Sequence, residues 1–126
     1  MQIKESAENY LESILIIKNK KGYVRSIDVA NELGFSKPSV SVAMKRFRQE
    51  GYIVIDENGI SLTEKGNEIA ERIYERHRVI ARALIELGVD EDTAFKDSCK
   101  IEHDISDISF EKIKEHLGKH LNHNHQ

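Results

Sequence analysis

Apolar residues recur every three or four positions along most of this chain, which is the spacing of one face of an α-helix. The pattern predicts helices over residues 4–18, 26–33, 36–51, 64–87 and 91–106, and a last helix that starts near residue 109. Ser26, Ser36 and Ser109 are predicted as N-caps, and Gly34 and Gly88 as helix ends. The periodicity therefore predicts a mainly α protein.

The second and third predicted helices have the spacing of a helix-turn-helix. Ala30 is small enough to let the two helices approach, Gly34 permits a positive φ in the turn, and Val40 fills the angle between them. Pro38 is tolerated in the first turn of the third helix because no intrahelical donor is needed there. The third helix is therefore predicted to enter the major groove of DNA.

Two short apolar runs, at residues 52–55 and 60–63, follow this motif and surround Glu57-Asn58-Gly59. An Asn-Gly pair between two apolar runs is a strong signal for a β-hairpin. A hairpin directly after a DNA-reading helix predicts a wing, so the first half of the chain is expected to form a winged helix-turn-helix.

The chain is 126 residues long, which allows one ordinary core or two small modules and excludes a large catalytic scaffold. No stretch approaches the roughly 20 apolar residues of a membrane span, and the N-terminus lacks the apolar run of a secretory signal. We expect a cytoplasmic protein with no membrane partner.

The net charge of −3 is distributed unevenly along the chain. Residues 1–66 hold 10 Lys and Arg against 9 Asp and Glu, whereas residues 67–126 hold 9 against 13, and all six histidines. The first part is the better candidate for DNA contact and the second for metal binding. We expect a DNA-binding domain over residues 1–66 and an all-helical domain over 67–126, whose residues 118–126 form a frayed His-rich tail.

The only cysteine, Cys99, cannot form an internal disulfide, so it is a buried small side chain, a reactive thiol or a metal ligand. On a helix, Cys99, Glu102 and His103 lie on one face. Thiolate, carboxylate and imidazole together suit a first-row transition ion better than Mg²⁺ or Ca²⁺. Taken alone, the cluster is equally compatible with a buried cysteine beside a solvated Glu-His pair.

Five separate segments of the chain resemble the diphtheria-toxin-repressor and manganese-transport-regulator family of metal-dependent repressors. They are Glu8-Asn9-Tyr10-Leu11-Glu12, Ser36-Lys37-Pro38-Ser39-Val40-Ser41, Leu62-Thr63-Glu64-Lys65-Gly66, Arg76-His77-Arg78 and Cys99-Lys100-Ile101-Glu102-His103-Asp104-Ile105-Ser106. The resemblance implies a homodimer with a winged helix-turn-helix, a helical dimerisation and metal-binding domain, and a divalent metal between the two domains. A third domain does not fit in this length, so the short two-domain form is expected.

The resemblance also implies the metal ligands, which are Asn9, Glu12, His77, Cys99, Glu102 and His103. Position 99 is a cysteine in iron-responsive members and a carboxylate in manganese-responsive ones. Fe²⁺ is therefore favoured and Mn²⁺ ranks next, while Co²⁺, Ni²⁺ or Zn²⁺ would bind in vitro. Asn9 departs from both branches, which carry methionine or aspartate at its place.

Iron-responsive members have an ancillary metal site as well. It would need a carboxylate and a histidine at the places where this chain has Ala81 and Phe95. We therefore expect the second site to be absent in its usual form.

The predicted DNA contacts lie on the third helix and just before the second. They are Arg25, Ser36, Lys37, Pro38, Ser39, Ser41, Val42, Lys45 and Arg46. The basic residues among them would position phosphates, and the serines would reach base edges or thymine methyl groups. Because Val42 cannot hydrogen-bond to a base, part of the specificity is expected to come from apolar contact and DNA shape.

These features favour a metal-activated transcriptional repressor that binds a palindromic operator as a homodimer and controls metal-homeostasis genes. No nucleophile or phosphate-binding loop is evident, so we do not expect an enzyme or a small organic substrate. Two alternatives stay open. They are a metal-independent winged-helix protein with a structural metal site, and a small metal-dependent hydrolase that uses Glu102 beside a bound water.

Overall fold

The computed structural model describes the backbone of residues 5–124 and the side chains of residues 6–118. Its elements, in chain order, are α1 (Glu5–Lys21), α2 (Ser26–Leu33), α3 (Lys37–Gln49), β1 (Ile53–Asp56), β2 (Gly59–Leu62), α4 (Glu64–Glu86), α5 (Glu91–Asp104) and α6 (Asp107–Asn124). The mainly α fold class with a winged helix-turn-helix is confirmed. None of the described helices is long and apolar enough to cross a membrane.

The chain forms two compact units that divide between Arg72 and Ile73, within α4. The boundary predicted from the sequence, between residues 66 and 67, lies in the same helix and stays a prediction. The predicted frayed tail also stays a prediction, because the side chains after residue 118 and the last two residues lie outside the description. The backbone of α6 runs to Asn124.

The first unit has a core built where α1, α2 and α3 meet. Leu11 of α1, Val29 of α2 and Val40 of α3 are fully buried. Gly34, at the turn, has a φ of 71°, as its place after α2 requires. Val40 therefore fills the angle of the helix-turn-helix as predicted.

The wing is an antiparallel hairpin in which Ile53 pairs with Leu62 and Asp56 with Gly59. The hairpin is confirmed, but its turn differs from the Asn-Gly turn that the sequence suggests. Gly59 already belongs to β2, and Asn58 does not adopt the positive φ of a type I′ turn. The Asn58 backbone N–H instead donates to Asp56 Oδ1 at 2.8 Å, a side-chain turn that Asp forms readily.

Gly59 is needed in the wing for close backbone packing rather than for the turn. It has a φ of 108°, and a Cβ at this position would lie 2.4 Å from the carbonyl oxygen of Val24. The next residue, Ile60, donates its backbone N–H to that same oxygen at 2.8 Å. The glycine therefore lets β2 approach the segment before α2 and fixes the wing to the helix-turn-helix.

Helix ends differ from prediction in three places. Helix α1 continues through Lys21, where its basic last turn suits the negative end of the helix dipole. Helix α2 is capped at Arg25 rather than Ser26, because Asp28 accepts the Arg25 backbone N–H. Helix α6 begins earlier than predicted, and Ser106 rather than Ser109 caps it by accepting the Ser109 backbone N–H.

The second unit consists of the rest of α4 with α5 and α6. Its core is mainly apolar. The buried residues include Ile73 and Ile80 of α4, Ala94 of α5 and Phe110 of α6. The polar exceptions are Arg76, Ser98 and Glu102, and two of these three belong to the site described next.

Candidate metal centre and nucleic-acid interface

Glu102 is the most deeply buried member of the predicted ligand cluster, with a side chain that is 0 % exposed. Its Oε2 lies 3.0 Å from His77 Nδ1, and its Oε1 lies 3.4 Å from His103 Nε2. Within the described part of the chain, neither carboxylate oxygen accepts a well-directed hydrogen bond. A buried carboxylate is costly unless positive charge lies beside it, which a protonated His77 or a bound cation can supply.

Cys99 lies one turn before Glu102 on α5, and its Sγ is 3.5 Å from His77 Nδ1. The residue is exposed, so the predicted alternative of a buried small side chain is wrong for Cys99. The His103 side chain, unlike Cys99, is buried, with only 2 % exposed. The structure thus brings His77, Cys99, Glu102 and His103 into one cluster in the second unit.

The charge state of His77 is set by this cluster. Contact with the Cys99 thiol, and next with the Glu102 carboxylate, raises the pKa of His77 from 6.5 to about 10, while burial acts in the opposite direction. A protonated imidazole is not a metal ligand, so a metal ion that binds His77 must release its proton. Two imidazoles, a thiol and a carboxylate form a donor set that fits a divalent transition ion.

The two predicted ligands of the first unit lie on α1. Glu12 is 6 % exposed and Asn9 is half-buried, and their three-residue separation places both on one side of the helix. Their role as ligands stays a prediction.

The positions that an ancillary site would need carry no metal-binding side chains. Ala81 is buried, and the Phe95 ring stacks on the His77 imidazole with 5.6 Å between the ring centroids. Phe95 thus packs against the ligand cluster instead of extending it.

Arg76 belongs to this region, although in the sequence it was noted only as part of the segment Arg76-His77-Arg78. It is 6 % exposed, and its Nη1 donates to the backbone carbonyls of Glu102 at 3.2 Å and Ile105 at 2.9 Å. A signal for its burial exists in the sequence, because position 76 continues the spacing of Ile73 and Ile80 on the apolar stripe of α4.

The predicted DNA-reading face of α3 is exposed. Its inner face buries Val40, Met44 and Phe47, which leaves Ser41, Val42 and Lys45 on the solvent side. Val42 is 69 % exposed, so an apolar side chain stands on this face. The remaining predicted contacts, Arg25, Ser36, Lys37, Pro38, Ser39 and Arg46, are exposed as well.

Some of these exposed groups already have partners. The Ser36 side chain accepts the backbone N–H of Ser39 at 3.3 Å, and the two hydroxyls lie 2.9 Å apart. Arg46 Nε is 3.1 Å from Glu50 Oε1. Arg25 lies 5.7 Å from the ring centroid of Tyr23, an exposed aromatic residue that the sequence reasoning did not select.

A winged helix-turn-helix followed by a helical unit with a cluster of two imidazoles, a thiol and a carboxylate defines a metal-dependent DNA-binding regulator. Two family models match the chain and together cover nearly all of it. They are the iron dependent repressor N-terminal DNA binding domain over residues 2–59, and the iron dependent repressor metal binding and dimerisation domain over residues 63–126. The chain therefore belongs to the iron-dependent repressor family of metal-dependent transcriptional repressors.

Similar proteins are also described as transcriptional regulators. The chain is 37% identical over 120 residues to an HTH-type transcriptional regulator of Methanocaldococcus jannaschii, covering 93% of this chain and 96% of that one. It is 33% identical to the HTH-type transcriptional regulator MntR of Bacillus subtilis, covering 86% of this chain and 77% of the relative. The crystal structure of the metal-dependent transcriptional regulator MtsR matches with a TM-score of 0.82 and 29% identity, over 89% of this chain and 53% of that one.

Proposed function

We propose that this protein is a metal-activated repressor that acts in the cytoplasm, not an enzyme, and binds a palindromic operator as a homodimer when a divalent transition metal is bound. The observation that carries the proposal is the buried Glu102 carboxylate, which contacts two imidazoles and accepts no well-directed hydrogen bond in the described chain. A metal ion would use these lone pairs. The exposed face of α3 in the same chain supplies the DNA-binding surface.

The proposed ligands are His77, Cys99, Glu102 and His103 from the second unit, with Glu12 and Asn9 from α1. The close contacts of the first four side chains with one another support their part of the set. The burial of Glu12 and its place one turn after Asn9 support the α1 part. Ligands from both units would let metal binding favour one arrangement of the reading helices.

Fe²⁺ is the proposed metal, with Mn²⁺ second. The position of Cys99 within contact distance of His77 supports this order, because a thiolate and an imidazole are softer ligands than the oxygens that Mn²⁺ prefers. A coupling free energy of about 1 to 3 kcal/mol, typical of allosteric proteins, would raise operator affinity about 5- to 150-fold.

The homodimer is supported by exposed apolar surface in the second unit. A groove of about 490 Å³ runs between α4 and α6, and Leu87 at its edge is 82% exposed. Apolar surface of this kind marks a protein contact, and the matching family domain is one of dimerisation. We propose that a second copy of the chain covers this groove.

The function is tested by fluorescence anisotropy on DNA from upstream of the protein's own gene and of neighbouring metal-transport genes. Chelated protein is titrated anaerobically with Fe²⁺, Mn²⁺, Co²⁺ and Zn²⁺. We expect binding to appear only with metal and at lower concentration with Fe²⁺ than with Mn²⁺. Equal binding in chelator would indicate a metal-independent winged-helix protein, and metal-dependent turnover without DNA binding would indicate the hydrolase.

Glu102→Gln tests the site itself in the same assay. The substitution keeps the size of the side chain but removes the charge that would bind the cation. Because even residues that only orient a ligand are worth roughly 10- to 100-fold in metal affinity, the variant should need more than about tenfold more metal. Glu111→Gln, at an exposed position of α6, is the matched control and should respond like the unmodified protein.

A further inference from the structure

The buried guanidinium of Arg76 is not explained by the ligand set. It occupies a place on the apolar stripe of α4 between Ile73 and Ile80, where a hydrophobic side chain would pack without desolvating a charge. Burying a guanidinium is costly unless its donors are paired. The position of the hydrogen-bond partners of Arg76 therefore indicates its structural role.

Those partners lie where α5 ends and α6 begins. Nη1 donates to the carbonyls of Glu102 and Ile105, Nη2 contacts the Asp107 carboxylate, and the guanidinium lies 5.2 Å from the centroid of the Phe110 ring. The last carbonyls of a helix have no intrahelical donors and carry its partial negative charge. A cation that bonds one of them and the carbonyl just beyond the helix holds the last turn of α5 in place.

Two consecutive residues of α4 therefore contact Glu102, one at its backbone and one at its side-chain carboxylate. Arg76 binds its backbone carbonyl at 3.2 Å, and His77 contacts its carboxylate at 3.0 Å. The first contact fixes the backbone from which the side chain extends, and the second fixes where that side chain ends. His103, the next residue on α5, shares the same turn.

We propose that Arg76 is a positioning residue of the metal centre, which locks the last turn of α5 so that Glu102 and His103 are presented to the ion. This inference rests on the proposed function, since it assumes that the cluster binds metal. Arginine is suited to the task because its planar fork reaches two carbonyls and a carboxylate at once. A lysine ammonium at the same place is a compact point charge that lacks this fixed fork of donors.

The test is Arg76→Lys, which keeps the charge and loses the fork. Binding of Co²⁺ and of Mn²⁺ to the full chain is measured by calorimetry at a temperature where circular dichroism shows the variant folded. The absorption spectrum of the Co²⁺-loaded protein reports ligand geometry. We expect at least about tenfold weaker metal binding, the lower end of what loss of a ligand-orienting residue costs, and an altered Co²⁺ spectrum.

Arg78→Lys is the matched control. Arg78 is exposed and lies 4.9 Å from the Tyr74 ring centroid, so the same exchange two residues away should leave metal affinity and spectrum unchanged. A folded Arg76→Lys variant with unmodified metal affinity, or with weaker binding but the unmodified spectrum at saturation, would overturn the proposal. Failure of the unmodified protein to bind metal would instead overturn the proposed function.

If the Arg76→Lys variant does not fold, the positioning role of Arg76 is tested with Asp107→Asn. The Asp107 side chain is 85% exposed, so its substitution does not disturb the core, yet it removes the ionic partner that orients the guanidinium. A loss of metal affinity of about twofold or more is expected, smaller than for the arginine itself. No loss would contradict a positioning role.

Discussion

Cys99 is the side chain that we propose selects the metal. Its sulfur lies beside His77 and the residue is exposed, so the sulfur is accessible to an incoming ion at the edge of the cluster. Ligand softness, rather than overall affinity, is what distinguishes sites for different first-row metals. The identity of the residue at position 99 is therefore expected to determine the order in which metals activate the protein.

Cys99→Asp should move the preference from Fe²⁺ toward Mn²⁺. The substitution replaces a soft thiolate with a hard carboxylate at nearly the same place on α5. The measurement is the metal concentration for half-maximal DNA binding with each ion, expressed as the Fe²⁺ to Mn²⁺ ratio. We expect the ratio to change by about tenfold or more, equivalent to roughly 1.4 kcal/mol.

Cys99→Ala is the control for that experiment. It should weaken the response to both metals and leave the fold intact, because the residue is exposed and lies outside the core. An unchanged Fe²⁺ to Mn²⁺ ratio in the aspartate variant would show that the sulfur does not select the metal.

At the scale of elements, the wing depends on one glycine. Gly59 combines a positive φ with the close approach of the Val24 carbonyl, and any side chain would meet that oxygen. The backbone bond from Ile60 to the same oxygen cannot be kept if the strand moves away. The position of the hairpin relative to the helix-turn-helix is therefore sensitive to a single methyl group.

Gly59→Ala should destabilise the protein by about 1 to 3 kcal/mol, the range for a non-glycine residue held in a rare backbone conformation. Thermal unfolding followed by circular dichroism measures the effect. Gly118→Ala is the control, since this glycine lies in α6 and none of the described atoms lies within 4 Å of an added Cβ. It should be neutral or stabilise the helix by up to about 1 kcal/mol. Equal melting temperatures for both variants would contradict the role of Gly59.

Local periodicity was sufficient to predict every element of this fold, because each helix has its own apolar stripe and the hairpin follows a short turn. The turn itself was mispredicted, since the choice of Gly59 depends on Val24, which is distant in sequence. The ligand cluster could be predicted in the same local way for Cys99, Glu102 and His103. The apolar stripe of α4 signals that Arg76 is buried, but its role could not be predicted, because its partners lie at the end of α5 and the start of α6.

For the whole molecule, the exposed apolar groove between α4 and α6 is the proposed contact between two copies of the chain. Leu87 lines it at the α4 end, and Ile113 and Leu117 line it from α6. A palindromic operator requires two reading helices, so loss of the dimer would also remove most of the DNA affinity.

Leu87→Lys should therefore weaken the dimer. A charge placed in an apolar contact is desolvated without a partner, so we expect monomers at concentrations where the unmodified chain is dimeric. Sedimentation velocity over a concentration series is the measurement. Glu111→Lys, which introduces the same residue on α6 outside the groove, should remain dimeric. A dimeric Leu87→Lys protein would place the interface elsewhere.

The exposed side chain of Val42 bears on which base groups the reading helix can contact. Ser36 and Ser39 are engaged with each other at the start of α3, so an apolar side chain is prominent on the reading face. A helix that reads bases through Val42 recognises the methyl group of thymine in the major groove. Methylated cytosine carries a methyl group at the corresponding ring position. From the proposed contact of Val42 with the operator, we expect cytosine methylation within a half-site to change the affinity of the protein for it.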